Sequence, residues 1–214
     1  MSVRVYYRRR HPTLCQPARA PLVQPLRQEP PRIGTVFPHG QRTETVCFTG
    51  HRRLSPEESA TISHRLNALL EALFRRGYRR FICGGALGFD TLAAECVLHL
   101  QASHPEVRLV MALPCGNQAQ RWSSGDSRRY ERILYAADET HVLAPTYYDG
   151  CMMVRNRYMV DRAALCVCYL CHMRGGTVST VAYALREEVP VLNVAMEGAC
   201  AAFLRESGVT CSPD

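Results

Sequence analysis

From Thr45 onward, short runs rich in Val, Ile, Phe and Cys alternate with segments in which apolar residues recur every three to four positions. This alternation constrains the fold more than any other feature. Strands separated by helical crossovers pair in parallel, and helices then cover both faces of the sheet. The pattern predicts strands over 45–49, 80–83, 107–113, 139–143, 164–169 and 189–194. Helices are expected from Pro56 to a stop at Gly77, from about Asp90, over 128–137, 152–161 and 177–186, and near 199–205. Ser55-Pro56-Glu57-Glu58 spells a capping box with proline at the first helical position, and Ile62, Leu66, Leu69, Leu70 and Leu73 follow at helical spacing. The expected class is α/β, a three-layer sandwich with a mostly parallel central sheet over residues 45–214.

In such sheets a ligand sits at the carboxyl ends of the strands, where loops run into helix N-termini. Four segments of unusual chemistry fall at that edge: Thr49-Gly50-His51-Arg52, the stretch from Gly84 to Asp90, Arg155-Asn156, and Gly175-Gly176-Thr177. Gly84, Gly85 and Gly88 let backbone amides approach an anion, although their spacing is not that of the dinucleotide fingerprint. Asp90 has two readings, a helix cap or a partner for a ribose hydroxyl. Gly175 and Gly176 open a second strand-to-helix loop, where Thr177 and Ser179 add hydroxyls. Arg155 is a candidate fork for phosphate or carboxylate reaching beyond the sheet edge, against the alternatives of a pair with Asp161 or plain solvent exposure. Asn156 shares a helix face with Met152 and Met159. His51 is a candidate phosphate donor or acid–base group, with Arg52 beside it and Gly50 leading out of the strand.

All 26 basic residues are arginine. Lysine-dependent chemistry is thereby excluded: Schiff bases, pyridoxal phosphate linkage and the Walker-type phosphate loop. Phosphate is left to backbone amides, helix N-termini and guanidinium groups, which stay protonated and make poor bases. The formal net charge is +7, but residues 1–44 hold eight arginines against Glu29 and Glu44. The rest of the chain is nearly neutral, which counts against nucleic-acid binding by the fold itself. Residues 1–44 also hold seven of the 13 prolines and no helical or strand periodicity, so they read as a disordered or loosely attached Pro/Arg-rich extension. Arg8-Arg9-Arg10 is an electrostatic handle or a solvated run. No apolar stretch has the length of a secretory signal core or a bilayer span.

Eleven cysteines is a high, odd count. Cys47, Cys83, Cys96, Cys166 and Cys168 sit among Val, Phe, Ile and Leu, where a free thiol behaves as a small apolar group. A reducing cytoplasm is the consistent compartment. Cys168-Tyr169-Leu170-Cys171-His172 has the spacing of covalent haem attachment. Core packing along a buried strand is the preferred reading there, with haem and a metal or redox role for Cys168 and Cys171 as alternatives. No metal and no cofactor is assigned.

Cys47-Phe48-Thr49-Gly50-His51-Arg52, the run from Gly84 to Thr91, Trp122, Arg155-Asn156 with Tyr158-Met159-Val160-Asp161, and Gly175-Gly176-Thr177 with Tyr183-Ala184 resemble the YpsA-like family of the SLOG superfamily. The resemblance covers roughly residues 45–195 and leaves the extension outside. It implies a Rossmann-like fold and a nucleotide or ADP-ribose-like ligand held by the two glycine loops, with Thr177, Arg155 and Arg52 on phosphate and Asp90 on ribose. The resemblance also implies a link to cell division; the expected role is a sensor or regulator that passes occupancy to a protein partner, with a homo-oligomer as an open alternative. The related LOG phosphoribohydrolases carry a glutamate essential for cleaving an N-glycosidic bond, and in the same register this chain has Ala182. Binding is therefore expected ahead of nucleotide hydrolysis, for which Asp90 is the candidate catalytic group. Single-stranded DNA binding, suggested by the DprA branch, is the third alternative.

Overall fold

The computed structural model describes residues 4–7 and 42–207. Its strands are β1 (Arg4–Tyr7), β2 (Thr45–Gly50), β3 (Arg80–Cys83), β4 (Arg108–Leu113), β5 (Glu139–Val142), β6 (Leu165–Tyr169) and β7 (Val191–Asn193). The helices are α1 (Pro56–Arg75), α2 (Phe89–Ser103), α3 (Ser124–Ala136), α4 (Cys151–Val160), α5 (Gly176–Arg186) and α6 (Glu197–Glu206). One sheet runs in the order β1-β5-β4-β3-β2-β6-β7. Every pair is parallel except β1 on β5, so the sheet is mostly parallel and Rossmann-like, as expected.

Strand pleating sorts the side chains. Val46, Phe48, Phe81, Cys83, Leu109, Met111 and Val167 face a core shared with α1, α2, α3 and Cys200 of α6. Their neighbours Cys47, Ile82, Val110, Ala112 and Cys166 face the other way, against Met159 and Val160 of α4 and Ala184 of α5. Both faces are apolar because both are covered, which is why the strands read as continuous apolar runs rather than alternating ones. Eight of the nine free cysteines among the described residues are buried, and Cys171 is exposed.

The capping box forms as spelled. Ser55 Oγ accepts the Glu58 amide at 3.1 Å, and Glu58 Oε2 accepts the Ser55 amide at 2.7 Å. Helix α3 begins four residues earlier than the apolar pattern predicts, because Ser123 Oγ caps the Asp126 amide at 3.1 Å and the first turn is polar. The reading of residues 1–44 as lacking strand structure is corrected at Arg4–Tyr7, which runs antiparallel to β5 from Arg4↔Val142 to Tyr7↔Glu139. Four residues are too few to show periodicity, and their hydrogen bonds come from the edge that β5 offers. Residues 8–41 of the extension, including Arg8-Arg9-Arg10, lie outside the described residues.

The chain leaves β2 for β3 on one side and β6 for β7 on the other. The carboxyl ends of β2 and β6, paired at Gly50↔Tyr169, therefore form the switch point at which open α/β sheets take ligands.

Candidate functional site

Strands β3, β2 and β6 are neighbours, so the loops that leave them meet. Phe89 at the start of α2 donates its amide to the His51 carbonyl at 3.1 Å. A Cβ on Gly88, whose φ is +79°, would come within 2.5 Å of the Arg52 backbone, so only glycine lets the first glycine loop lie against the loop after β2. Across the switch point, the Cys171 amide donates to His51 Nε2 at 3.1 Å. The loops that follow β2, β3 and β6 thus touch one another at one edge of the sheet.

Arg155 does not reach beyond the sheet edge. Helix α4 turns Cys151, Arg155 and Met159 inward, one above another at four-residue spacing, and Arg155 is 3% exposed. Its guanidinium donates to the Gly84 carbonyl, lies 3.5 Å from Asp90 Oδ2, and is steadied by Asn156 Oδ1, which accepts from Nε at 2.7 Å. Neither alternative for Arg155 holds, because Asp161 instead accepts the Tyr183 hydroxyl at 2.7 Å. Asp90 is 4% exposed and its Oδ2 accepts the Ala86 amide at 3.4 Å within the glycine loop. Burial holds the Asp90 carboxyl above its ordinary range, against the pull of Arg155, the Ala86 amide and the charge of Arg52. Gly84 must be glycine because a Cβ would overlap the Arg155 guanidinium and Asp90. The first glycine loop is therefore packed onto a buried ion pair beneath it.

The second glycine loop differs. Gly175 has φ +88° and opens α5 with no side-chain cap. Gly176 has neither a left-handed backbone nor any atom within 4 Å of a Cβ placed on it. Packing does not require glycine there. Cys171 to Gly176 are all exposed, Thr177 is buried and Ser179 is exposed. Asn156 is tied to this loop rather than to solvent: its Nδ2 donates to Thr180 Oγ1 at 2.7 Å, and that hydroxyl donates to the Gly176 carbonyl at 2.9 Å. Arg52, Arg53 and Arg174 supply exposed positive charge around the region.

Two features escaped the sequence reading. Tyr169 at the end of β6 donates its hydroxyl to Glu58 Oε1 at 2.8 Å, so the capping glutamate of α1 also braces the switch point. His51 stacks on His172 with ring centroids 3.7 Å apart, beside the exposed Cys171. Burial and the charge of His172 lower the pKa of His51 below its ordinary value, with Glu58 opposing. The Cys-His pair after β6 was visible in the sequence; that His51 faces it depends on β2 lying next to β6. Cys168, by contrast, is fully buried in β6, and burial raises its thiol to about 12. Cys168 and Cys171 therefore do not present two thiols to one haem.

A mostly parallel α/β sheet with two glycine-opened loops beside its switch point defines a Rossmann-like protein. The family model described as the YspA SLOG family matches residues 47–188, and the chain belongs to that family. It is similar to the SPbeta prophage-derived protein YoqJ of Bacillus subtilis, 30% identical over 136 residues that cover 58% of this chain and 80% of that protein. A UPF0398 protein of Halalkalibacterium halodurans is 33% identical over 94 residues, 43% of this chain and 50% of its own length. The chain thus spans about half the length of that relative. Among solved structures, DNA processing protein A of Streptococcus pneumoniae has a TM-score of 0.54 at 16% identity, covering 78% of this chain and 57% of that one. The Helicobacter pylori protein of the same name, whose structure concerns single-stranded DNA binding, has a TM-score of 0.51 at 16% identity over 80% and 75% of the two chains. At these identities the likeness is one of fold. No helix among the described residues is long and apolar enough to cross a membrane.

Proposed function

We propose that the protein binds a nucleotide or nucleotide-sugar of the ADP-ribose class at the switch point, as a sensor that passes occupancy to a protein partner. The observation that carries this reading is Gly176, a glycine at an uncapped helix N-terminus with open space above it and no packing reason to lack a side chain. A phosphate drawn to the helix N-terminus and lying against the backbone supplies that reason. Arg52 and Arg174, both exposed, stand ready to neutralise it. Arg155, Asp90 and Asn156 serve this site from below by holding the loops in place. Ala182 is exposed on α5, so the position of the hydrolases' glutamate carries no carboxylate and binding without cleavage is the expected outcome.

The test is a calorimetric titration of the purified chain with ADP-ribose and AMP, followed by chromatography of the nucleotide, with a single-stranded oligonucleotide as the rival ligand. Saturable binding of an intact nucleotide is expected. Gly176→Val should weaken it by at least about tenfold, roughly 1.4 kcal/mol, with no loss of thermal stability because the added side chain meets open space. Equal affinity in that variant, or binding of the oligonucleotide alone, sinks the reading.

A further inference from the structure

The Cys171 and His172 side chains are used by neither the nucleotide reading nor the packing of the core, and His51, a candidate phosphate donor in the sequence, lies against both. We propose that these three residues form a binding site for a divalent transition metal of the zinc type, with one coordination position left open. One ligating atom from each lies within 4.8 Å of the other two. The juxtaposition comes from two chain segments held by sheet register. His51 follows β2 directly, Cys171 and His172 follow β6, and the two strands are paired up to Gly50↔Tyr169.

The donor set states the chemistry. One thiolate and two imidazoles suit Zn²⁺ and its spectroscopic substitute Co²⁺, whereas Mg²⁺ and Ca²⁺ ask for oxygen. Ligand atoms around tetrahedral zinc stand about 3.3 to 3.8 Å apart, given bonds of about 2.0 to 2.3 Å. The site must therefore contract by about an ångström, and the two residues that have to move are the exposed ones, Cys171 and His172. His51, 8% exposed, is the fixed wall. Exposure of the other two gives the metal an entry path and leaves a fourth position for water or an incoming ligand.

Binding has identifiable local costs. The lone pair of His51 Nε2 accepts the Cys171 amide, which leaves the proton on Nδ1. Loading replaces that hydrogen bond with a metal–nitrogen bond, and the amide of the exposed Cys171 turns to water. The stacked rings of His51 and His172 tilt so that one nitrogen of each points at a shared centre. The Cys171 thiol gives up its proton to solvent. The haem-like spacing in the sequence thus divides between two of its readings: Cys168 packs in the core, as preferred, while Cys171 joins a site whose third ligand comes from the neighbouring strand. This inference stands apart from the nucleotide reading, and its test uses the metal alone.

The full chain, reduced and stripped with chelator, is titrated with Co²⁺ while the thiolate-to-cobalt charge-transfer absorption is followed, and bound zinc is counted by mass spectrometry after dialysis. The expected result is one metal per chain with the thiolate band present. Cys171→Ser should abolish the band. His172→Ala should weaken binding by more than the roughly 10- to 100-fold that loss of an outer-shell partner costs. Because Cys171 and His172 are exposed, both variants are expected to fold, which a matching far-ultraviolet spectrum checks. Substoichiometric zinc in the wild-type chain, or full stoichiometry with an intact thiolate band in a Cys171→Ser/His172→Ala double variant, overturns the proposal.

Discussion

Removing the Arg155 guanidinium would strand Asp90 as an isolated carboxyl group under the first glycine loop and leave the Gly84 carbonyl without its donor. Both side chains are nearly inaccessible, so water cannot compensate. Truncating one partner of a buried pair costs about 3 to 5 kcal/mol, much of it the penalty on the charge left behind. Arg155→Ala is expected to lose that much stability in urea denaturation, and adding Asp90→Asn should restore part of it. A loss below about 1 kcal/mol would show that the pair behaves like a surface bridge. The sequence marked Arg155 and Asp90 as important without showing that they serve each other. They are 65 positions apart on helices over opposite faces of the sheet, and only the loop between β3 and α2 brings them together.

At the scale of elements, β1 is a four-residue strand whose role is set by what it covers. β5 is otherwise the last strand of a parallel sheet, and an uncovered edge is a template for pairing with other chains. Deleting residues 1–8 is expected to expose β5, lower the unfolding midpoint and raise self-association, which light scattering at increasing concentration detects; an unchanged, monodisperse variant would show that β1 adds nothing to the edge. The central strands and most helices were legible from the sequence because each carries its own signal: a continuous apolar run, a 3.6-residue period, a capping serine. β1 and the first turn of α3 were missed because their signals are a partner's edge and a cap preceding a polar turn.

Across the whole sheet, Arg80 at the start of β3 reaches over β4 to Glu139 at the start of β5, with two hydrogen bonds of 2.8 and 3.0 Å. Burial works to raise the Glu139 carboxyl, but hydrogen bonds from His141 and Arg80 outweigh it and bring the pKa down to about 2. A carboxylate with a lowered folded pKa stabilises the protein above its unfolded pKa and loses that contribution as pH falls through the folded value. Global stability should therefore drop by about 2 to 3 kcal/mol between roughly pH 4.5 and pH 2, with a shallower drop in Glu139→Gln. Parallel pH profiles of urea midpoints for the two proteins would contradict this assignment.

The sequence by itself determined the class of fold, the near-neutral body beside a basic extension, the exclusion of lysine chemistry and the four candidate segments at the sheet edge, because each is written in local composition, periodicity or spacing. Tertiary structure alone decided which of the candidate residues are exposed and which are buried. It turned Arg155 inward, left Gly176 open, and set His51 against Cys171 and His172. Those outcomes depend on strand order and register, through which residues more than a hundred positions apart become neighbours, and no local pattern encodes that distance.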